Sequence, residues 1–178
     1  MAAFAGGEKW STGADIKQTS LPEKTEQLLK EQVDKELAAS RVYFAASIYF
    51  DDLGFGGIAS YLKKEADGEQ THAGGFSDYL IKRGSHANLG ALNAVAADWD
   101  SPVHCFEALL EAEVANTASI NAIAEQALQD KDHMTYSFLK EYLDEQVNAE
   151  DEWTTNVQKI RSYAKLPGLL WHLDKEFS

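Results

Sequence analysis

The stretch KKEADGEQTHAGGF, residues 63–76, decides the fold. It sets Glu65, Glu69 and His72 four and then three residues apart. On an α-helix that spacing puts all three side chains on one face. The same face carries Ile58, Leu62, Phe76 and Tyr79. Two carboxylates and an imidazole therefore interrupt an apolar stripe, and a stripe that faces a core needs a reason to hold them.

Outward from this stretch, the second helix runs from about residue 56 to 83 and closes at Gly84. DDLGFGG separates it from a first helix that reaches back to SLPEKTEQ. There Ser20 is the expected N-cap, Pro22 lies in the first turn and Glu23 follows. Residues 85–100, rich in Ala, Asn and Asp, show no helical face and read as a long connection. DSPVHCFE opens a third helix, with Ser101 as N-cap and Pro102 at the first position. It extends to about residue 129. QDKDH is a turn, a fourth helix follows to about 163, and KLPGLLWHLDKEF reads as a short fifth helix. No strand-like alternation competes. Residues 1–20 are polar, Gly-containing and non-periodic, and read as a flexible arm preceding one domain over 21–178. The expected fold class is all-α. Four helices of similar length with one long crossover between the second and third have the ferritin-like bundle connectivity.

Each of the four helices carries an apolar stripe at alternating steps of three and four, as bundle cores require. The first reads Leu29, Val33, Glu36, Ser40, Tyr43, Ser47, Phe50, and the third Phe106, Leu110, Glu113, Thr117, Ile120, Ala124. The fourth reads Leu139, Leu143, Gln146, Glu150, Trp153, Val157, Ile160. All are apolar at both ends, and all carry a carboxylate or amide near the middle. A buried carboxylate without a partner costs several kcal/mol, roughly. The stripes contain no Lys or Arg to pair with Glu36, Glu65, Glu69, Glu113 and Glu150. Bound metal meets such charge, and carboxylates with one imidazole suit iron, manganese or zinc. Glu69-x-x-His72 is the element by which carboxylate bundles converge two ligands on one ion. Tyr43 lies two turns beyond Glu36 on the same face.

The bulk numbers agree. With 29 acidic against 16 basic residues, the formal charge is −13, which lacks the basic footprint of a nucleic-acid binder and suits a cationic partner. A single cysteine, Cys105, allows no intrachain disulfide and points to a reducing compartment. There is no apolar run of membrane-spanning length, and the N-terminus has no long apolar segment of the secretory kind.

The combined motifs resemble the ferritin family over roughly residues 25–176. EQVDKELAASRVYFAASIYF (31–50) is similar to its first helix, and EQTHAGGF (69–76) to its second-helix segment. EAEVANTASI (111–120) resembles the third, YLDEQVNAEDE (142–152) the fourth, and PGLLWHLDK (167–175) the short fifth. The resemblance is to the non-haem, H-type class, microbial or algal in flavour. It implies a homo-oligomeric cage, a shell of twenty-four subunits. Such a cage oxidises Fe(II) with O2 or peroxide at a di-iron ferroxidase centre and stores ferric oxyhydroxide mineral. Carried over, Glu36, Glu69 and His72 bind the first iron. Glu69, as a bridge, and Glu113 bind the second. Gln146 lies beside the second iron, and Tyr43 is next to the centre. Ala149, three residues after Gln146, stands where bacterioferritins would continue a second E-x-x-H, so no haem ligand is implied.

The pattern departs from animal heavy chains at Gly68, Thr71 and Gly74, where those chains carry cavity-facing glutamates. Tyr136 and Leu139 occupy the neighbourhood of their acidic channel residues. Glu65 matches one ligand of a third iron site found in some microbial and algal ferritins, and Ala149 stands where another would be. The competing expectations are a rubrerythrin-like peroxidase or other di-iron carboxylate oxidase, and a passive storage shell. MAAFAGG at the N-terminus resembles a plastid-processing junction of some algae, so the expected compartment is the bacterial cytoplasm or the plastid stroma, not a secreted location.

Overall fold

The computed structural model describes residues 19–95, 97–166 and 168–178. Its elements are α1 (Glu23–Asp52), α2 (Gly56–Lys82), α3 (Pro102–Gln129), α4 (His133–Tyr163) and α5 (Leu170–Glu176). Of the expected N-terminal arm, residues 1–18 lie outside the described residues. Among the described residues there is no strand, and no helix is long and apolar enough to cross a membrane.

The helix ends follow from local chemistry. Ser101 caps α3, its hydroxyl accepting from the His104 amide at 3.1 Å, and Pro102 occupies the first turn. Asp132 caps α4 by accepting from the Thr135 amide at 3.2 Å. Gly84, at φ 77°, supplies the left-handed residue that lets the Ser85 amide reach back to the Leu80 carbonyl at 2.9 Å and end α2. The start of α1 corrects the sequence expectation. Ser20 is exposed and is not the cap; extended Pro22 (φ −61°, ψ 139°) precedes Glu23, and no side chain caps the helix. The Pro22 carbonyl still takes the first helical bond, from the Glu26 amide at 2.8 Å.

Direction is set by the loops. The α1–α2 connection is Leu53–Phe55 and the α3–α4 connection Asp130–Asp132, so each pair is antiparallel. The crossover climbs the whole length of α1. Ser85 donates to Glu26 at 2.6 Å, the Gly90 amide to Asp34 at 3.2 Å, and Arg41 to the Asn93 carbonyl at 2.8 Å. Trp99 then packs edge-on against Tyr49 at 5.4 Å between centroids. These anchors fall about two turns apart on α1, and they return the chain to the end where α2 began. Hence α1 and α4 run one way, and α2 and α3 the other.

The core is two apolar plugs with a polar belt between them. One plug gathers Phe50, Ile58, Leu62, Phe106, Trp153 and Leu173, so α5 closes that end. The other gathers Leu29, Val33, Phe76, Leu80, Ile120 and Leu139. Each fully buried side chain of this size contributes about 2 kcal/mol of transfer free energy. The second end is also tied by polar groups. Arg83, at the end of α2, makes a two-pronged pair with Asp132 at 3.1 Å on each prong, and Thr25 donates to Asp130 at 2.7 Å.

Candidate metal centre

Between the plugs lie Glu36, Glu69, Glu113 and Gln146, one from each bundle helix and all buried, with half-buried His72 beside them. Helical spacing aims Glu69 and His72 from one turn of α2 at the side chain of Glu36 on α1. One oxygen or nitrogen each from Glu36, Glu69 and His72 lie within 4.8 Å of one another. His72 Nδ1 stands 3.2 Å from Glu69 Oε2 and 4.0 Å from Glu36 Oε2. Its other ring nitrogen faces exposed Glu145 at 3.4 Å. The ring is held edge-on by Tyr142, 5.7 Å between centroids.

Glu113 forms the neighbouring group. The Tyr43 hydroxyl donates to its Oε1, and the Gln146 amide donates to its Oε2 at 3.3 Å and to Thr117 at 3.1 Å. Tyr43 is in turn packed on Trp153 at 5.6 Å.

The electrostatics describe a site short of positive charge. Burial, then the neighbouring Glu69 carboxylate, push the Glu36 carboxyl up to about 8, against the pull of Gln32 and His72. The Glu69 hydrogen bond, with the charges of Glu69, Glu36 and Glu145, raises His72 to about 9 in spite of burial. Burial raises Glu113 as well, although the Tyr43 hydrogen bond opposes it. Burial, followed by the charge of Glu113, lifts Tyr43 far above the ordinary phenol. Without a cation, Glu36 and His72 hold protons near neutrality. Glu36 Oε2 is buried with no hydrogen-bond partner, although such an atom ordinarily finds one. It points towards His72 Nδ1, and an oxygen-and-nitrogen donor set of this kind fits a divalent transition metal.

Glu65 is half-buried and stands outside the three-residue group. Burial, then the charges of Glu152, Glu113 and Glu69, raise it to about 7. It lines a 190 Å³ cleft with Lys64, Gly68, Glu69, His72 and Glu145, the opening of the belt between α2 and α4. Glu150 is half-buried and belongs to neither group. Leu139 is fully buried in the core, so it lines no channel. Sequence reasoning passed over Gln32, whose amide donates to Glu36 Oε1 at 2.6 Å, and Glu145. The available signal was position: Gln32 sits four residues before Glu36, and Glu145 adjoins Gln146.

A family model described as Ferritin-like domain matches residues 26–163. The chain belongs to the ferritin family. This ferritin is 33% identical over 141 residues to a bacterial non-heme ferritin of Bacteroides fragilis, covering 79% of this chain and 89% of that protein. It is 31% identical over 148 residues to a bacterial non-heme ferritin of Staphylococcus aureus, covering 83% and 89%. Its fold superposes on an open pore ferritin from the hyperthermophilic archaeon Archaeoglobus fulgidus with a TM-score of 0.86, at 34% identity over 89% of this chain and 98% of that one. A PmFTN variant crystallised and soaked in iron superposes at 0.83, with 38% identity over 85% and 98%. The bundle, the crossover and the short closing helix are thus the ferritin architecture.

Proposed function

We propose that this ferritin stores iron and is a ferroxidase, with the polar belt as its di-iron centre. Fe(II) is the substrate. Glu36, Glu69 and His72 hold the first iron through the three atoms that converge within 4.8 Å. Glu69 bridges to a second iron held by Glu113, beside which Gln146 and Tyr43 fix the carboxylate. The observation that carries this reading is the buried, unpartnered Glu36 Oε2 facing His72 and Glu69. A cation there replaces the protons held by Glu36 and His72. Two metals in such a site sit about 4 Å apart. Each Fe(II) gives up one electron, so the pair reduces O2 or peroxide by two electrons. Anionic ligands favour the ferric state, whose bound water sheds protons. Ferric product then passes inward to mineral in a homo-oligomeric cage of twenty-four subunits, in bacterial cytoplasm or plastid stroma. The open cleft at Glu65 and Glu145 gives the belt its way to solvent, and Glu65 serves there as a weak third or transit site.

The test is stopped-flow oxidation at two Fe(II) per chain, followed by the ferric absorbance. Glu69→Ala and His72→Ala are each expected to abolish the fast phase while leaving helical content and native mass unchanged. Equal fast phases in wild type and both variants would refute the centre. The native mass by size-exclusion with light scattering separately tests the cage.

A further inference from the structure

A chain of hydrogen bonds runs from the outer surface of α1 and α3 to the back of Glu36. Exposed Lys35 donates to the Ser119 hydroxyl at 2.6 Å, and Ser119 donates to Gln32 Oε1 at 2.6 Å. The Gln32 amide nitrogen spends both its protons, one on Asn116 Oδ1 at 2.7 Å and one on Glu36 Oε1 at 2.6 Å. Gln32 and Glu36 are both fully buried.

The order of donors is forced. An ammonium at one end must donate, and the Glu36 carboxylate at the other, ionised once it holds a cation, must accept. The Ser119 hydroxyl accepts from Lys35, so its own proton goes to Gln32. Gln32 must then present its oxygen to Ser119 and its nitrogen to Glu36; reversed, its oxygen would oppose the Glu36 carboxylate. Both amide protons and the oxygen of Gln32, and the hydroxyl proton of Ser119, are thus engaged in one arrangement. An amide in the middle of the chain passes no proton readily, so the chain is a brace and not a proton route.

The brace divides the two oxygens of Glu36. Oε1 is occupied by Gln32, whereas Oε2 is the buried atom with no partner and lies 4.0 Å from His72 Nδ1. We infer that Gln32 is a positioning residue for the first cation: by taking one carboxylate oxygen of Glu36 it presents the other alone, and it is itself aimed by Ser119 and Asn116 on α3. The inference rests on the metal-centre reading above. It adds that Glu36 ligates through a single oxygen, and that the outer faces of α1 and α3 set the site's geometry.

The probe is Co(II), whose visible bands report coordination geometry and whose titration gives a Kd without any oxidation step. Wild type, Gln32→Leu and Ser119→Ala are titrated as assembled protein. Gln32→Leu is expected to weaken the tighter Co(II) by roughly 10–100-fold, the usual effect of losing an outer partner of a ligand. Its visible bands are expected to change, because Glu36 is then free to turn or chelate. Ser119→Ala, which keeps the Gln32–Glu36 contact but unseats Gln32, is expected to shift both in the same direction by less. A purely structural Gln32 would lower the melting temperature and leave the bands alone. Wild-type Kd and bands in folded Gln32→Leu overturn the inference. If that variant does not fold, Ser119→Ala decides: Kd within about twofold of wild type and unchanged bands overturn it as well. Absence of Co(II) bands in wild type would instead remove the metal-centre reading itself.

Discussion

At the scale of single residues, the belt is a set of groups that need a cation or protons. Glu36 is raised to about 8 and His72 to about 9, each by burial or by the other acidic groups around it. The cation-free belt therefore holds more protons near pH 7 than the same side chains do in an unfolded chain. A metal displaces those protons. Zn(II) added to weakly buffered protein at pH 7 is therefore expected to release about one proton or more per tightly bound ion, read with an indicator dye. Release that is unchanged in His72→Ala would contradict the assignment. Tyr43 acts differently. Its hydroxyl donates to Glu113, so Tyr43→Phe removes a hydrogen bond to a buried carboxylate. That change is expected to weaken the second cation more than the first, read by Co(II) titration at one and two ions per chain.

At the scale of elements, two glycines of α2 make opposite predictions. Gly57 is buried where α5 crosses the start of α2; a Cβ there would meet the Asp174 carbonyl, which is backbone. Gly57→Ala is expected to cost about 1–3 kcal/mol, as overpacking does, and to lower the melting temperature by loosening α5. Gly74 is exposed in mid-helix, and a Cβ added there would meet nothing within 4 Å. Gly74→Ala is expected to stabilise by about 0.8–1.0 kcal/mol through helix propensity. Differential scanning calorimetry of both variants checks the pair. The five helices were legible in the sequence because apolar spacing and Ser101, Pro102 and Gly84 mark them plainly. The belt was legible for the same reason: Glu69 and His72 break a stripe that would otherwise be apolar. The start of α1 was not, because Ser20 and Pro22 are both good opening residues and only the backbone at Pro22 decides between them. Gln32 and Glu145 were hidden by company. Each lies in a run of polar residues where nothing in one dimension tells a partner of Glu36 or His72 from a solvated side chain.

At the scale of the whole molecule, stability without cations is expected to depend on pH from two sides. Asp132 is buried, which raises its carboxyl, but the Arg83 guanidinium and Thr135 more than offset that and hold it below its ordinary value. Its contribution is present above the unfolded carboxylate pKa of about 4 and is lost as pH falls further. Glu36 works in reverse. The unfolded group ionises freely above its ordinary value of 4.5 while the folded group resists until about 8, so stability declines across that interval. His72 adds stability that is complete below 6.5 and lost as pH rises through about 9. A maximum near pH 5 is expected, with a slope above it of about 1.4 kcal/mol per pH unit for each extra proton held. Saturating Zn(II) should flatten that slope. Melting curves from pH 4 to 9, with and without the ion, measure both. The layout of the bundle explains why the burden falls on side chains. Glu36, Glu69, Glu113 and Gln146 each sit near the midpoint of a helix of 27 to 31 residues. The partial charges of helix termini fade within the last turn, and two helices point each way, so the backbone field at mid-height is close to nil. A site at a helix end can borrow its potential from peptide dipoles. This one cannot, and the chemistry at mid-height lies wholly in carboxylate, imidazole and amide groups that substitution can change one at a time.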